Sequence, residues 1–144
     1  NHGGNLGADI VVSGTVAAVR EGAYAGVHGI ALSHYKKHGQ DFDWAFAADC
    51  ALTTIQTLMT DHTLRSGEYW NVNLPHIATE NGIPDQVHCE PSKQALPVAF
   101  VNQQAIGADR VFMYSGVYAD RRREPGSDID VCFNGKIAVS KLTL

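Results

Sequence analysis

The sequence has few of the features that define several protein classes. Only three of its 144 residues are cysteine, and Cys50, Cys89 and Cys132 are widely separated with no C-x-x-C spacing. This scattered set indicates neither a disulfide framework nor a zinc knuckle, and it favours a reducing cytoplasm. No apolar run approaches the roughly 20 residues of a membrane span, and no leader pattern opens the chain. We therefore expect a cytoplasmic protein with no membrane partner.

Basic residues are also scarce. The 11 lysines and arginines stand against 15 aspartates and glutamates, for a net charge of −4. The one basic run, Arg121-Arg122-Arg123, is flanked by Asp120 and Glu124. A protein that binds polymeric nucleic acid needs a basic surface to neutralise phosphates, and we expect no such partner here. A small anion remains open as a ligand, since backbone amides and a metal ion can hold it whatever the net charge.

The composition is that of a globular domain. Hydrophobic residues make up 44 % of the chain and charged residues 18 %. A chain of this length and balance can bury one modest core. We find no internal repeat and no low-complexity tract, so we expect a single domain over residues 1–144.

The chain opens with a glycine-rich loop. Residues 1–7, NHGGNLG, contain three glycines together with the polar side chains of Asn1, His2 and Asn5. Glycine can adopt positive φ angles and lets the backbone come close to a ligand. Such a loop can cradle an anion.

The next feature is Ser13-Gly14-Thr15, which precedes an apolar run. The pattern predicts a short helix that begins after Ser13 and ends at Gly22 or Gly26. Two interpretations stay open for its start. Ser13 can be an ordinary helix cap, or the first-turn amides and the two hydroxyls can bind a phosphate, since the helix dipole favours an anion there.

The remaining pattern predicts an α/β fold. Residues 28–33 and 71–74 are expected to be strands of a sheet, and residues 44–62 an amphipathic helix that covers one face with Asp43 as its cap. We expect a three-layer arrangement in which the buried face of this helix is formed by Trp44, Ala48, Ala51, Leu52, Ile55, Leu58 and Met59.

The C-terminal residues predict a hairpin. Residues 129–142 consist of two β-rich runs joined by Asn134-Gly135, a strong signal for a tight hairpin turn. In this interpretation Asp128 and Asp130 lie on one face of a strand, where solvated edge charges are favoured over the alternative of a catalytic acid pair.

Three segments resemble the SurE family of metal-dependent nucleotidases. The first is NHGGNLGADIVVSGTVAAVREG at residues 1–22, the second is NVNLP at residues 71–75, and the third is PGSDIDVCFNGKIAVSKLTL at residues 125–144. The resemblance runs through most of the chain and is weakest over residues 87–113. It implies a Rossmann-like core with a C-terminal hairpin extension, and release of phosphate from nucleoside 5′- or 3′-monophosphates with Mg²⁺ or Mn²⁺.

The resemblance also implies roles for individual residues. Asn1 falls on an asparagine that the family uses as a metal ligand. Asn5, Ser13, Gly14 and Thr15 fall on positions that line the phosphate pocket.

The departures from the family pattern concern the metal site. In the family the other ligands are an Asp-Asp pair after the first strand and a serine, all of which precede the position of Asn1. We therefore assign no catalytic residue, expect an N-terminally truncated portion of a longer protein, and expect this chain alone to be weak or inactive. Val12 and Lys141 also depart from the family, which usually has an aromatic residue and a proline there.

The resemblance further implies a homodimer or homotetramer. We expect a core over about residues 1–115 and a hairpin arm over about residues 116–144 that reaches a neighbouring subunit. The alternative function is a non-catalytic oligomerising module with a vestigial anion pocket.

Overall fold

The computed structural model of the protein describes residues 3–41, 43–61, 63–76, 82–96, 98–106 and 109–144. It contains a four-stranded mixed sheet with helices on both faces and a separate two-stranded sheet. In chain order the elements are α1 (Asp9–Val12), α2 (Gly14–Tyr24), β1 (Ile30–His34), α3 (Trp44–Asp61), β2 (Glu68–Leu74), β3 (Gln86–His88), β4 (Phe100–Ile106), β5 (Asp109–Tyr114), α4 (Asp128–Phe133) and β6 (Ile137–Thr143).

The main sheet has the strand order β1-β2-β6-β3. Strands β1 and β2 are parallel, with Ile30 opposite Trp70, and β6 runs antiparallel to β2, with Val139 opposite Val72. The short strand β3 is parallel to β6 at the other edge. The two strands predicted at residues 28–33 and 71–74 are confirmed, and so is the three-layer α/β fold.

Helix α3 covers one face of the sheet through an apolar cluster. The predicted helix is confirmed over Trp44–Asp61, while His62 lies outside the described residues. Its cap is also confirmed, because Oδ1 of Asp43 accepts the N–H of Phe46 at 2.9 Å. The cluster comprises Ala47, Cys50, Leu58, Trp70, Val72, Leu74, Ile137 and Val139.

The predicted buried face of α3 was wrong in part. Leu58 is buried, but Trp44, Leu52 and Met59 are exposed, and Met59 exposes 78 % of its surface. The residues that face the sheet are instead the small side chains Ala47, Cys50 and Thr54, together with Leu58. Small residues let a helix approach a sheet closely. The side of α3 that contacts the sheet is therefore the one with its small residues, and it is rotated away from most of its bulky apolar residues.

The opposite face of the sheet carries two apolar clusters with buried polar residues between them. Helix α2 packs on one end through Val16 and Ala23, which contact Ala31 and Tyr69. Helix α4 and Leu6 pack on the other end. Between them lies a polar strip, which we define as the buried residues Asn5, Ser33, Asn71, Asn73 and Ser140.

The predicted hairpin over residues 129–142 was wrong. Residues Asp128–Phe133 form helix α4, and β6 is an inner strand of the main sheet rather than part of an arm. Asn134 is the C-cap of α4, and Gly135 follows with a φ of 81°. An Asn-Gly pair supplies the positive φ angle that both a tight hairpin and a helix C-terminus require, so the dipeptide alone cannot distinguish them.

The hairpin of this protein lies elsewhere, in strands β4 and β5. They pair in antiparallel fashion, with Phe100 opposite Tyr114 and Val101 opposite Met113. All four of these side chains are exposed, as is Phe112. The hairpin therefore presents apolar side chains on both of its faces.

Candidate functional site

The glycine-rich loop crosses the carboxyl end of β1. The Gly3 N–H donates to the carbonyl of His34 at 3.0 Å, with a φ of 109° at Gly3. Gly7 has a φ of 52°, and a Cβ there would lie 3.1 Å from both Ile129 Cδ1 and the Ser92 carbonyl oxygen. Glycine is therefore required at Gly7 by both the backbone conformation and the close approach.

Asn5 ties this loop to the polar strip. Its N–H donates to Oδ1 of Asn73 at 2.7 Å, and its carbonyl accepts from the side-chain amides of Asn71 and Asn73, each at 3.0 Å. The Asn5 side-chain amide donates to the hydroxyl of Ser33. Asn5 thus points into the protein and supports the loop from beneath. Its assignment to the phosphate pocket stays a prediction.

Asn71 leaves one atom of the strip unsatisfied. Its side chain is fully buried, and Oδ1 has no hydrogen-bond partner among the residues that the structure describes. Buried polar atoms are nearly always paired, so an unpaired one lowers the net stabilisation that its side chain contributes.

Asp128 anchors the end of the same loop. It is fully buried, and its carboxylate accepts the N–H groups of Gly7, Ser92 and Ile129 at 2.7, 2.8 and 2.8 Å. Burial raises the pKa of this carboxyl group, and the backbone donors act in the opposite direction. The prediction that Asp128 is a solvated charge on a strand was wrong, because it begins helix α4.

Arg121 provides a further anchor. The guanidinium forms an ion pair with Asp9 at 2.6 Å and donates to the carbonyl of Leu6 at 3.1 Å. It also lies over the ring of Tyr118, 4.8 Å from the centroid, while the Tyr118 hydroxyl donates to Asp9 at 2.8 Å. Burial is the main cause of a raised pKa at Tyr118. The first arginine of the basic run is therefore a buried structural residue.

The start of α2 follows the loop. Ser13 caps the helix, since its Oγ accepts the N–H of Val16 at 3.1 Å. The prediction of a capped helix after Ser13 is confirmed. A Cβ on Gly14 would meet no atom within 4 Å, so this backbone is open to approach. The Thr15 hydroxyl makes no hydrogen bond with any described residue. The N–H groups of the first turn lack intrahelical acceptors.

The start of α2 and the end of β1 lie at the same edge of the sheet. Helix α2 has 11 residues and β1 has five, and both are about 16 Å long at the usual rise per residue. Because only five residues connect them, the helix must run back along the strand. Ser13 is therefore brought toward the carboxyl edge, where Gly3 meets His34.

The predicted metal ligand, Asn1, lies outside the described residues, as does His2. The part of the chain that the structure describes contains no group of three or more histidine, cysteine or acidic residues arranged to hold a metal ion. These residues therefore do not supply the carboxylate set that a hard dication prefers.

None of the described helices is both long enough and apolar enough to cross a membrane.

Comparison with known proteins identifies relatives over the whole chain. The family model "Survival protein SurE" matches residues 1–96. A candidate 5′-nucleotidase of Nostoc sp., alr3139, is 47 % identical over 142 residues, which cover 99 % of this chain and 60 % of that protein. The 5′-nucleotidase SurE of Paramagnetospirillum magneticum is 29 % identical over 142 residues, which cover 99 % of this chain and 54 % of that protein. The chain thus spans a little over half the length of these curated relatives.

A solved structure supports the same assignment at the level of the fold. The SurE protein from Aquifex aeolicus superposes with a TM-score of 0.83 at 23 % identity, over 99 % of this chain and 56 % of that one. The fold agrees with the family model and with the relative that is 47 % identical. On this evidence the chain belongs to the SurE family.

Proposed function

We propose that the protein, at its full natural length, is a phosphomonoesterase that releases phosphate from nucleoside 5′- or 3′-monophosphates. The observation that carries this proposal is the open start of α2 at the carboxyl edge of the sheet, in a member of a family whose relatives are named 5′-nucleotidases. Ligands of open α/β sheets bind outside the carboxyl ends of the strands.

The phosphate would be held at Ser13, Gly14 and Thr15. The amides of Gly14 and Thr15 donate to its oxygens, while that of Val16 is bonded to the Ser13 cap, and the helix dipole favours its negative charge. The Thr15 hydroxyl adds a donor, and so does the Ser13 hydroxyl, because accepting the N–H of Val16 leaves its own proton available. In a phosphoryl transfer these donors stabilise charge on the equatorial oxygens.

The loop anchors would act as positioning residues. Asp128 fixes the Gly7 amide, Asn73 fixes both backbone groups of Asn5, and Arg121 fixes the Leu6 carbonyl. A site that must stabilise a transition state has to be held within a fraction of an ångström, which buried hydrogen bonds achieve.

We propose Mg²⁺ or Mn²⁺ as the cofactor, with the carbonyl oxygen of Asn1 as one ligand. A hard dication would polarise the phosphoryl group. Asn1 alone offers one neutral oxygen, and the described residues contain no group of three or more histidine, cysteine or acidic side chains that could hold a metal ion. We therefore derive no catalytic step through the metal and expect its carboxylate ligands outside these 144 residues.

The test is a phosphate-release assay on AMP, with and without a chelator. It is run on this chain and on the protein at its full natural length. We expect chelator-sensitive turnover in the full-length protein and little or none in the 144-residue chain. Chelator-insensitive activity would overturn the metal dependence, and equal activity of both forms would show that these residues suffice.

We also propose that the protein forms a homodimer or homotetramer in the cytoplasm, with strands β4 and β5 as the contact. Two-stranded hairpins are only marginally stable alone, and Phe100, Phe112 and Met113 are exposed on this one. A second copy of the hairpin would cover them. Light scattering tests this: Phe112→Glu should shift the mass toward the monomer, and an unchanged oligomer would contradict the assignment.

The second candidate function is a non-catalytic oligomerising module with a vestigial anion pocket. It is favoured by the exposed hairpin together with the lack of a carboxylate cluster among the described residues. An oligomer that binds phosphate but shows no phosphate release at full length would support it.

A further inference from the structure

Basic side chains from two separate segments meet at the carboxyl edge of the sheet. Lys36 and Lys37 follow strand β1, and His76 follows strand β2. The rings of His34 and His76 lie 6.4 Å apart. Burial is the main cause of a lowered pKa at His76, and the positive charges of Lys37 and Lys36 lower it further. The two lysines therefore lie close to the end of β2 as well as to that of β1.

Arg123 joins this group through an aromatic stack. Its guanidinium lies over the ring of Phe133, 4.9 Å from the centroid, and Phe133 stacks on Tyr35 with centroids 4.6 Å apart. Tyr35 directly precedes Lys36 in the sequence. We define the basic rim as Lys36, Lys37 and Arg123, of which Lys36 is half-buried and the other two are exposed.

The charges of the basic rim are not neutralised by ion pairs. Among the residues that the structure describes, the ion pairs are Arg121–Asp9, Lys136–Asp85 and Lys141–Glu68, and none of them involves the rim. The neighbouring Glu124 carboxylate accepts three donors from residues 92–94, and Asp43 caps helix α3. Three positive charges therefore remain available to an anion.

The basic rim borders the glycine-rich loop. Lys36 lines a cleft of about 540 Å³ together with Gly3 and Gly4. The Gly3 N–H donates to the carbonyl of His34, two residues before Lys36, and helix α2 brings Ser13 toward the same edge. Surface charges attract an anion over about 10 Å at 0.1 M ionic strength. The rim residues can therefore act on a phosphate that they do not touch.

We propose that the basic rim attracts the anionic substrate to the phosphate site at Ser13 to Thr15 and takes no part in the chemical step. The inference rests on the proposed function and assigns the residues that set how fast substrate is captured. The 144 residues carry a net charge of −4, which by itself repels a nucleotide. A local group of positive charges overcomes such repulsion and raises association rates. The same field favours a dianionic phosphomonoester over a monoanionic or neutral ester.

The test measures kcat/KM for AMP on the protein at its full natural length and at two ionic strengths. At about 0.01 M charges are screened over about 30 Å, and at about 0.5 M over about 4 Å. We expect Lys36→Gln and Lys37→Gln each to lower kcat/KM about twofold at the lower ionic strength, and the double variant about fivefold. At the higher ionic strength these losses should nearly vanish, and kcat should stay unchanged throughout.

A third variant tests the other segment of the rim. Arg123→Gln should lower kcat/KM about twofold at the lower ionic strength, because it removes one charge of the same sign. An effect that appears in the lysine variants but not in Arg123→Gln would overturn the rim as defined.

Lys141→Gln is the matched control. Lys141 lies opposite Trp70 on strand β6, toward the other end of β2, and pairs with Glu68 at 3.4 Å. This variant makes the same change in net charge away from the site, so kcat/KM should stay nearly unchanged at both ionic strengths. An effect as large as that of Lys37→Gln would overturn the proposal, because net charge alone would then explain the rates.

Two further outcomes would contradict the proposal. An unchanged kcat/KM of the double variant at the lower ionic strength would leave the rim without a role in capture. A fall in kcat that persists at the higher ionic strength would make the lysines direct contacts of the reacting group instead.

A binding measurement separates this inference from the proposed function. Affinity for inorganic phosphate is titrated by calorimetry at the same two ionic strengths. If the protein shows no turnover but the double variant binds phosphate more weakly at the lower ionic strength only, the phosphatase is defeated and the rim is kept. If AMP is turned over and the double variant changes neither kcat/KM nor phosphate affinity, the rim alone is defeated.

Discussion

The two faces of strand β2 are both buried but have different roles. Trp70, Val72 and Leu74 on one face meet helix α3 in an entirely apolar cluster. Asn71 and Asn73 on the other face belong to the polar strip beneath the glycine-rich loop. Apolar burial stabilises without directing any backbone group, whereas a loop without regular structure needs partners for its N–H and carbonyl groups. The second face therefore gives up apolar contact in order to fix the loop.

The largest expected effect lies on the apolar face. Leu58→Ala should lower the free energy of unfolding by about 2–5 kcal/mol, because it leaves a cavity against the sheet. Urea denaturation followed by circular dichroism measures this. Met59→Ala is the matched control on the same helix, and its exposed side chain should cost no more than about 0.5 kcal/mol. Equal losses for the two would show that the contact face of α3 is assigned wrongly.

A smaller effect is expected from the polar strip. Asn73→Ala removes both hydrogen bonds to the Asn5 backbone and should cost about 1–3 kcal/mol. Hydrogen exchange of the Asn5 amide should accelerate more than the loss of global stability explains. Asn71→Ala removes one bond and also the unsatisfied Oδ1, so its cost should be smaller. A larger loss of stability for Asn71→Ala than for Asn73→Ala would contradict the role assigned to Asn73 in the polar strip.

The helix cap should contribute less. Ser13→Ala removes the acceptor for the Val16 N–H, and the expected loss is about 0.5–2 kcal/mol. Affinity for inorganic phosphate should also fall, because the hydroxyl that accepts the Val16 N–H keeps its own proton and can donate it to a phosphate oxygen. A loss of stability with unchanged phosphate affinity would limit Ser13 to the helix cap.

The smallest effect on stability is expected at Thr15. Its hydroxyl has no partner among the described residues, so Thr15→Ala should leave the melting temperature nearly unchanged. The same variant should weaken the binding of phosphate or AMP in calorimetry. Unaltered binding would refute the assignment of Thr15 to the phosphate site.

Sequence reasoning reached the parts of the fold that local patterns encode. Periodicity within single segments predicts strands β1 and β2 and helix α3. Capping preferences, which involve residues three positions apart, predict the caps at Ser13 and Asp43. The Asn134-Gly135 turn was misread because its glycine conformation suits a helix end as well as a hairpin. The contact face of α3 depends on how closely a helix approaches a sheet, which hydrophobicity alone does not encode.

The anchors of the candidate site could not be predicted for a different reason. Asp128 and Arg121 contact the loop across more than 100 residues of sequence, and no short pattern relates them. The one available signal was the order Ser127-Asp128, a helix start like those at Ser13 and Asp43. The roles of Asn1, Asn5, Ser13, Gly14 and Thr15 in binding stay predictions.

The long sequence separation between the loop and its anchors has a consequence for folding. Contacts that close large loops form late, because the entropy of loop closure opposes them until the rest of the chain is ordered. Asp128 meets Gly7 across 121 positions and Arg121 meets Leu6 across 115. The glycine-rich loop emerges from the ribosome before helix α4, yet it can acquire its fixed shape only after that helix has been synthesised and docked. A nascent chain that stops short of α4 should therefore carry Ser13, Gly14 and Thr15 but lack the carboxylate that fixes the neighbouring Gly7.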